Sequence, residues 1–211
     1  MQNNTSKMVA LLGKIRKQMN GAVLDTFRYY GAKYGMNYGV ALHSLRDMAR
    51  EIGCDDELAH FLFRQQVREL QIIALWIADA EAVTEVEFDF WANGLINSEL
   101  AEQAAQGLLS KITPIDTLVE RWCGSGNELL AYAALLAASR SDKISINIVQ
   151  SSVNKVVTAF ADNHLATQGV VALLSNKIEN HRAVVESVLA TLPDNRSAAV
   201  VREEIAWRLE Y

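Results

Sequence analysis

The sequence predicts an all-α protein in which stacked antiparallel helical hairpins form a curved α-solenoid, a single domain over residues 1–211. Three observations predict it. Helix starts are well marked, while strand signals are weak: no Asn-Gly or Asp-Gly turn sits between alternating runs. Pair starts near residues 56, 84, 114 and 145 recur at roughly 30-residue steps, as in a helical repeat. The second helices share one composition, alanine mixed with leucine or isoleucine, which lets backbones approach and leaves apolar surface that only neighbours on both sides can bury.

In chain order, the first pair covers about 56–63 and 67–80, the latter containing Leu70-Gln71-Ile72-Ile73-Ala74-Leu75-Trp76-Ile77-Ala78-Asp79. Thr84 and Glu87 fit a capping box, in which side chain and backbone satisfy each other's orphan N–H groups. They open a second pair at about 85–93 and 99–111. Thr113-Pro114-Ile115-Asp116 places a cap, a helix-ready proline and an acid at the positive end of the helix dipole. A third pair at about 114–123 and 127–140 follows, with Ser125 and Glu128 fitting another capping box. A longer segment at 145–162 and helices near 166–179, 182–192 and 197–209 finish the chain.

Half of the residues are hydrophobic, yet no apolar run approaches the roughly 18 residues that span a bilayer. The start, MQNNTSK, lacks the basic-then-apolar order of a signal peptide, so the expected location is cytoplasmic. Cys54 and Cys123 lie far apart and read as free thiols. His43, His60, His164 and His181 include no pair at i, i+4, and neither CxxC nor HExxH occurs, so no metal and no cofactor is expected. Residues 1–50 hold eight Lys/Arg against two Asp/Glu, and residues 51–128 hold four against fifteen. A neutral to acidic groove is therefore expected, with positive charge on the N-terminal helices through Lys14, Arg16, Lys17, Arg28 and Lys33.

Several segments share an order and spacing. Tyr38-Gly39-Val40-Ala41-Leu42-His43-Ser44-Leu45-Arg46 is similar to an aromatic-Gly-Val/Ile…Leu-Arg opening, and Leu58-Ala59…Leu62 is followed by Glu69…Ala74. With Trp91, Trp122 and Lys155, these make the stretch from 28 to about 160 resemble the DNA alkylation repair family, the HEAT-like-repeat DNA glycosylases. The resemblance implies a concave groove that removes alkylated bases. A Trp-Asp-x-x-Asp motif supplies an aromatic wall and a carboxylate for the cationic sugar, a later arginine holds phosphate, and a second tryptophan faces the lesion. The chemistry needs those groups: an anion for the cationic sugar, π-faces for a cationic base and a guanidinium for phosphate.

At the matching positions this chain carries Ser98 for the first tryptophan, Glu99 and Glu102 for the two aspartates, Tyr132 for the arginine and Ala159 for the second tryptophan. Only the carboxylate survives, one methylene longer. Glu99 and Glu102 are either charge stabilisers on one helix face or first-turn acids that favour the dipole. Trp91 is either a lesion platform or hairpin core. Two functions follow. The preferred one is a catalytically degenerate relative acting as a binding or scaffold protein. Its partner is DNA, reached through the basic N-terminal helices, or a protein in the concave groove. The alternative is an active DNA glycosylase using Glu102.

Overall fold

A computed structural model describes residues 3–29 and 34–210, the side chain of Arg28 excepted. The expectations for Arg28 and Lys33 as surface charges thus lie outside the described residues. Twelve α-helices occur among the described residues, and no strand. Three helices, α1 (Asn4–Lys17), α2 (Gly21–Tyr29) and α3 (Leu42–Ile52), precede the first expected hairpin. That hairpin is α4 (Asp56–Phe63) and α5 (Arg68–Ile77). Next come α6 (Phe88–Gly94) with α7 (Ser98–Gly107), α8 (Ile115–Cys123) with α9 (Glu128–Arg140), and α10 (Ile146–Ala159) with α11 (His164–Thr191). The chain closes on α12 (Arg196–Glu210).

The second helices form a continuous row: α5 packs on α7, α7 on α9, and α9 on α11. First helices back them, α4 on α5, α8 on α9 and α10 on α11, with α8 also against α10. At one end α3 packs on α5 and α1 on α4; at the other α12 packs on α11. Alanine makes the row possible. Ala131, Ala133, Ala134, Ala137 and Ala138 of α9 are all fully buried, as are Ala101, Ala104 and Ala105 of α7. One apolar cluster runs from Leu11 to Ile205. The short α6 is anchored by Trp91, whose ring lies 4.9 Å from that of Phe63, and by Phe88, edge-on to Trp122 at 6.5 Å.

Several boundaries differ from the sequence reading for local reasons. Helix α5 stops at Ile77, and Asp55 N–H then donates to the Ile77 carbonyl at 2.9 Å. The segment expected at 99–111 breaks after Gly107 into a short 3-10 turn, Leu109–Lys111. A Cβ at Gly107 would sit 2.7 Å from the Leu75 carbonyl oxygen, so only glycine lets α7 come this close to α5. The capping box at Thr84 forms, with Thr84 N–H donating to Glu87 at 3.1 Å. The one expected at Ser125 does not. Asn127 is the cap, its Oδ1 accepting from Leu129 and Leu130, while the Ser125 hydroxyl donates back to the Trp122 carbonyl at 2.7 Å. The two helices expected at 166–179 and 182–192 do occur within α11, meeting at a break at His181, where φ is −139° and ψ 37°.

Both cysteines are free, Cys54 exposed and Cys123 buried. Burial pushes the Cys123 thiol up to about 12, against the opposing pull of Lys155 and Ser152. Because the thiolate is the nucleophile, an alkylating reagent at mildly alkaline pH should modify Cys54 in the native protein and Cys123 only after unfolding. Mass spectrometry of the labelled chain checks this; equal native labelling of the two would contradict it.

Candidate functional site

Residues three and four apart share a helix face, and the row of second helices presents such a face. It carries Arg68 and Trp76 from α5, Glu99, Glu102, Gln103 and Gln106 from α7, and Tyr132 and Arg140 from α9. Cross-helix contacts join them at three levels.

At the N-terminal level lies a buried ion cluster. Arg68 is 2% exposed and grips Glu99 with two hydrogen bonds, Nε to Oε2 at 2.7 Å and Nη2 to Oε1 at 2.6 Å. Its third nitrogen donates to the Val40 carbonyl at 2.8 Å and to Glu69 Oε1 at 3.1 Å. Glu69, fully buried, also accepts from the backbone N–H groups of Tyr38 and Val40. The Tyr34 hydroxyl donates to Glu99, and the guanidinium stacks 4.6 Å from the Phe27 ring. Burial alone would lower the Arg68 pKa, but Glu99, Glu69 and Tyr34 together hold the group above its ordinary value. Burial and then the Glu99 charge push the Tyr34 hydroxyl well up.

At the middle level the Tyr132 hydroxyl donates to Glu102 Oε1 at 3.0 Å. Burial and the Glu102 charge raise the Tyr132 pKa, while Arg140 is near enough to oppose the rise. Glu102 itself is exposed.

At the C-terminal level the face turns cationic around Trp76. The Arg46 guanidinium lies 4.8 Å from the Trp76 ring centre and the Lys111 ammonium 5.5 Å. Gln103 ties the group together, its oxygen accepting from Trp76 Nε1 at 3.2 Å and from Arg46 at 3.3 Å, while Gln106 accepts from Arg46 at 2.8 Å. Lys143 donates to the Lys111 carbonyl at 2.7 Å, and Lys177 to the Ser141 carbonyl at 3.3 Å. Arg140 bonds the Leu136 carbonyl and the Ser139 hydroxyl. Among the described residues, none of these five cations is in an ion pair with a carboxylate.

Of the residues singled out by sequence, Glu99, Glu102 and Tyr132 come together on this face. Ser98 is the exposed first residue of α7. Ala159 is the exposed last residue of α10, which packs on α8 and α11. Trp91 is fully buried among His60, Phe63 and Phe90, so it offers no ring to a ligand. The electrostatic expectation needs correction. Lys7 and Lys14 of α1 are paired with Asp55 and Glu51. Many acids of residues 51–128 lie on α4 and α6 or just ahead of them, as Asp55, Asp56, Glu57, Glu85, Glu87 and Asp89 do. Counting charge by stretch of sequence mixed the two rows of helices. The reading also missed Trp76, Arg46, Gln103 and Lys111.

No family model and no curated protein matches the chain. Among solved structures it is similar to one from a new family of proteins related to the HEAT-like repeat DNA glycosylases, with affinity for branched DNA structures. The TM-score is 0.73 over 96% of this chain and 95% of that chain. The two share that fold. Their sequences are 18% identical. The resemblance first read from residues 28 to about 160 therefore extends, as fold, over nearly the whole chain. No helix of the described residues is long and apolar enough to cross a membrane, and no group of three or more His, Cys, Asp or Glu among them could hold a metal ion.

Proposed function

We propose that this protein is a DNA-binding helical-repeat protein that does not excise bases, its ligand lying along the Arg46–Trp76–Lys111–Lys143 edge of the second-helix row. The observation that carries this is Arg46 and Lys111 against Trp76 with Lys143 beside Lys111, none of the three in an ion pair with a carboxylate among the described residues. Unneutralised Lys and Arg are what phosphates need, and each contact releases condensed counterions. The structural neighbour's affinity for branched DNA makes a four-way junction the first ligand to test. A titration against junction and duplex at several salt concentrations should give log affinity falling linearly with log salt, and tighter binding to the junction. A flat salt response, or no binding to either, overturns the proposal.

One observation favours the alternative, a working glycosylase: Glu102 keeps an exposed carboxylate on the same face. Yet the matching positions lack both aromatic walls and the phosphate arginine. Cation–π contacts contribute roughly 0.5–2 kcal/mol each and a charged hydrogen bond roughly 1.5–3, where each 1.36 kcal/mol is about tenfold in rate. A single-turnover assay on duplex DNA holding a methylated purine should therefore show no efficient release. Faster release that disappears in Glu102→Gln would establish the glycosylase instead.

A further inference from the structure

A second concavity, of about 360 Å³, opens where the C-terminal end of α4 and the start of α5 meet the end of α6. It shares no residue with the Trp76 edge. Phe63, Phe90 and Ile96 give it apolar walls, and Gln66, Gln71 and Asn93 bring side-chain amides. Its one charged residue is Arg64, exposed, with its guanidinium 5.2 Å from the Phe90 ring centre. Among the described residues no carboxylate pairs with Arg64.

Two features of the lining carry a cost. Gln71 is 3% exposed, yet its Oε1 has no hydrogen-bond partner and its Nε2 reaches the Gly94 carbonyl only at 3.5 Å. A buried amide left so poorly satisfied forfeits the hydrogen bonds it made to water. Gln66 at the rim has φ of 52°, a left-handed conformation that L-residues rarely adopt. It is pinned there because its carbonyl accepts from Met36 N–H at 3.1 Å, while Arg68 N–H donates to the Met36 carbonyl at 2.9 Å. Gly94 lets α6 lie directly on the Phe63 ring, which a Cβ there would overlap. Strain that persists at the rim of a cleft points to a ligand.

The lining selects its chemistry. An anion alone would leave the aromatic wall unused, and an apolar ring would leave the Gln71 amide unsatisfied. A cation would meet Arg64. A planar heteroaromatic ring with hydrogen-bonding edges and an attached anion uses every group. We propose that this cleft binds a single nucleotide unit, its base against Phe90 and Ile96, its edge on the Gln71 and Asn93 amides, and its phosphate on Arg64. The unit comes either as a free mononucleotide or as an unpaired nucleotide of a strand.

Calorimetric titration of the full chain with adenosine monophosphate, adenosine, inorganic phosphate and a short oligodeoxyadenylate tests this. Arg64→Gln and Asn93→Ala are exposed substitutions that spare the core. If the source is a free nucleotide, the monophosphate binds, and Arg64→Gln weakens it about tenfold. Adenosine then binds more weakly and ignores Arg64→Gln, and phosphate alone gives no signal. If the source is a strand, only the oligonucleotide binds, with the same loss in Arg64→Gln. Arg64→Gln costs the same factor when introduced into the Lys111→Gln, Lys143→Gln background as in the native chain, which separates this site from the Trp76 edge. No binding by monophosphate or oligonucleotide, or binding indifferent to both Arg64→Gln and Asn93→Ala, overturns the proposal.

Discussion

Replacing Arg68 with methionine is expected to destabilise the protein by about 3–5 kcal/mol, the cost of leaving a buried ion pair half-removed. The substitution preserves much of the side chain's volume, so the loss is electrostatic. Glu99 would lose its two-pronged partner, and Glu69, fully buried, would lose the only cation within hydrogen-bond reach among the described residues. Urea unfolding should show a lower midpoint with an unchanged slope. Thermal unfolding should fall by roughly 2–4 °C per kcal/mol for a chain of this size. Adding Glu99→Gln should recover part of the loss, because it removes one of the stranded charges. Lys14→Met, which breaks the exposed pair with Glu51, serves as the contrast and should cost less than about 1 kcal/mol. An Arg68→Met protein as stable as the native chain would mean that water or local rearrangement reaches these carboxylates, and that the cluster contributes little.

The same cluster marks where the sequence was legible and where it was not. Alternating apolar content and alanine-rich segments exposed the second helices, because helix period and close backbone approach are local properties. Glu99 was readable as a first-turn acid for the same reason. Its partner was not, since Arg68 lies 31 residues earlier on another helix. One signal was available and unused. With a repeat of about 30 residues, groups one repeat apart occupy equivalent places on neighbouring hairpins. Arg68–Glu99, Glu102–Tyr132, Asp116–Ser145, Asp89–Arg121 and Glu69–Tyr38 are separated by 31, 30, 29, 32 and 31 residues. Scanning for complementary polar residues at that offset would have found the cross-helix pairs. It would not have found the Trp76 cluster, where Arg46 reaches Gln103 across 57 residues through α3, a helix preceding the regular pairs. The Ser125 cap failed for a subtler reason: Asn127, two residues on, is an equally good cap, and pattern alone does not choose between them.

Substituting the cationic edge should have the largest effect on the proposed function. In Lys111→Gln, Arg140→Gln and Lys143→Gln combined, junction affinity is expected to fall about 10²–10³-fold near physiological salt, at roughly tenfold for each lost phosphate contact. The slope of log affinity against log salt should shrink by about 0.9 for each of the three, the counterion-release value for B-form DNA. Folding should survive. All three residues are exposed, and their described hydrogen bonds run mainly to carbonyl oxygens that water can reach equally well. The individual roles differ. Lys111 sits against Trp76, so Trp76→Leu should mimic part of its loss by freeing both Lys111 and Arg46 from the ring, whereas Trp76→Phe retains a π-face and should cost less. The salt slope separates the two effects: Trp76→Leu misplaces charge without removing it, so it lowers affinity while leaving the slope nearer the native value. If the triple variant binds the junction with native affinity and native slope, the ligand does not lie on this edge. The N-terminal cations Arg16 and Lys17 then become the next place to look for its phosphates.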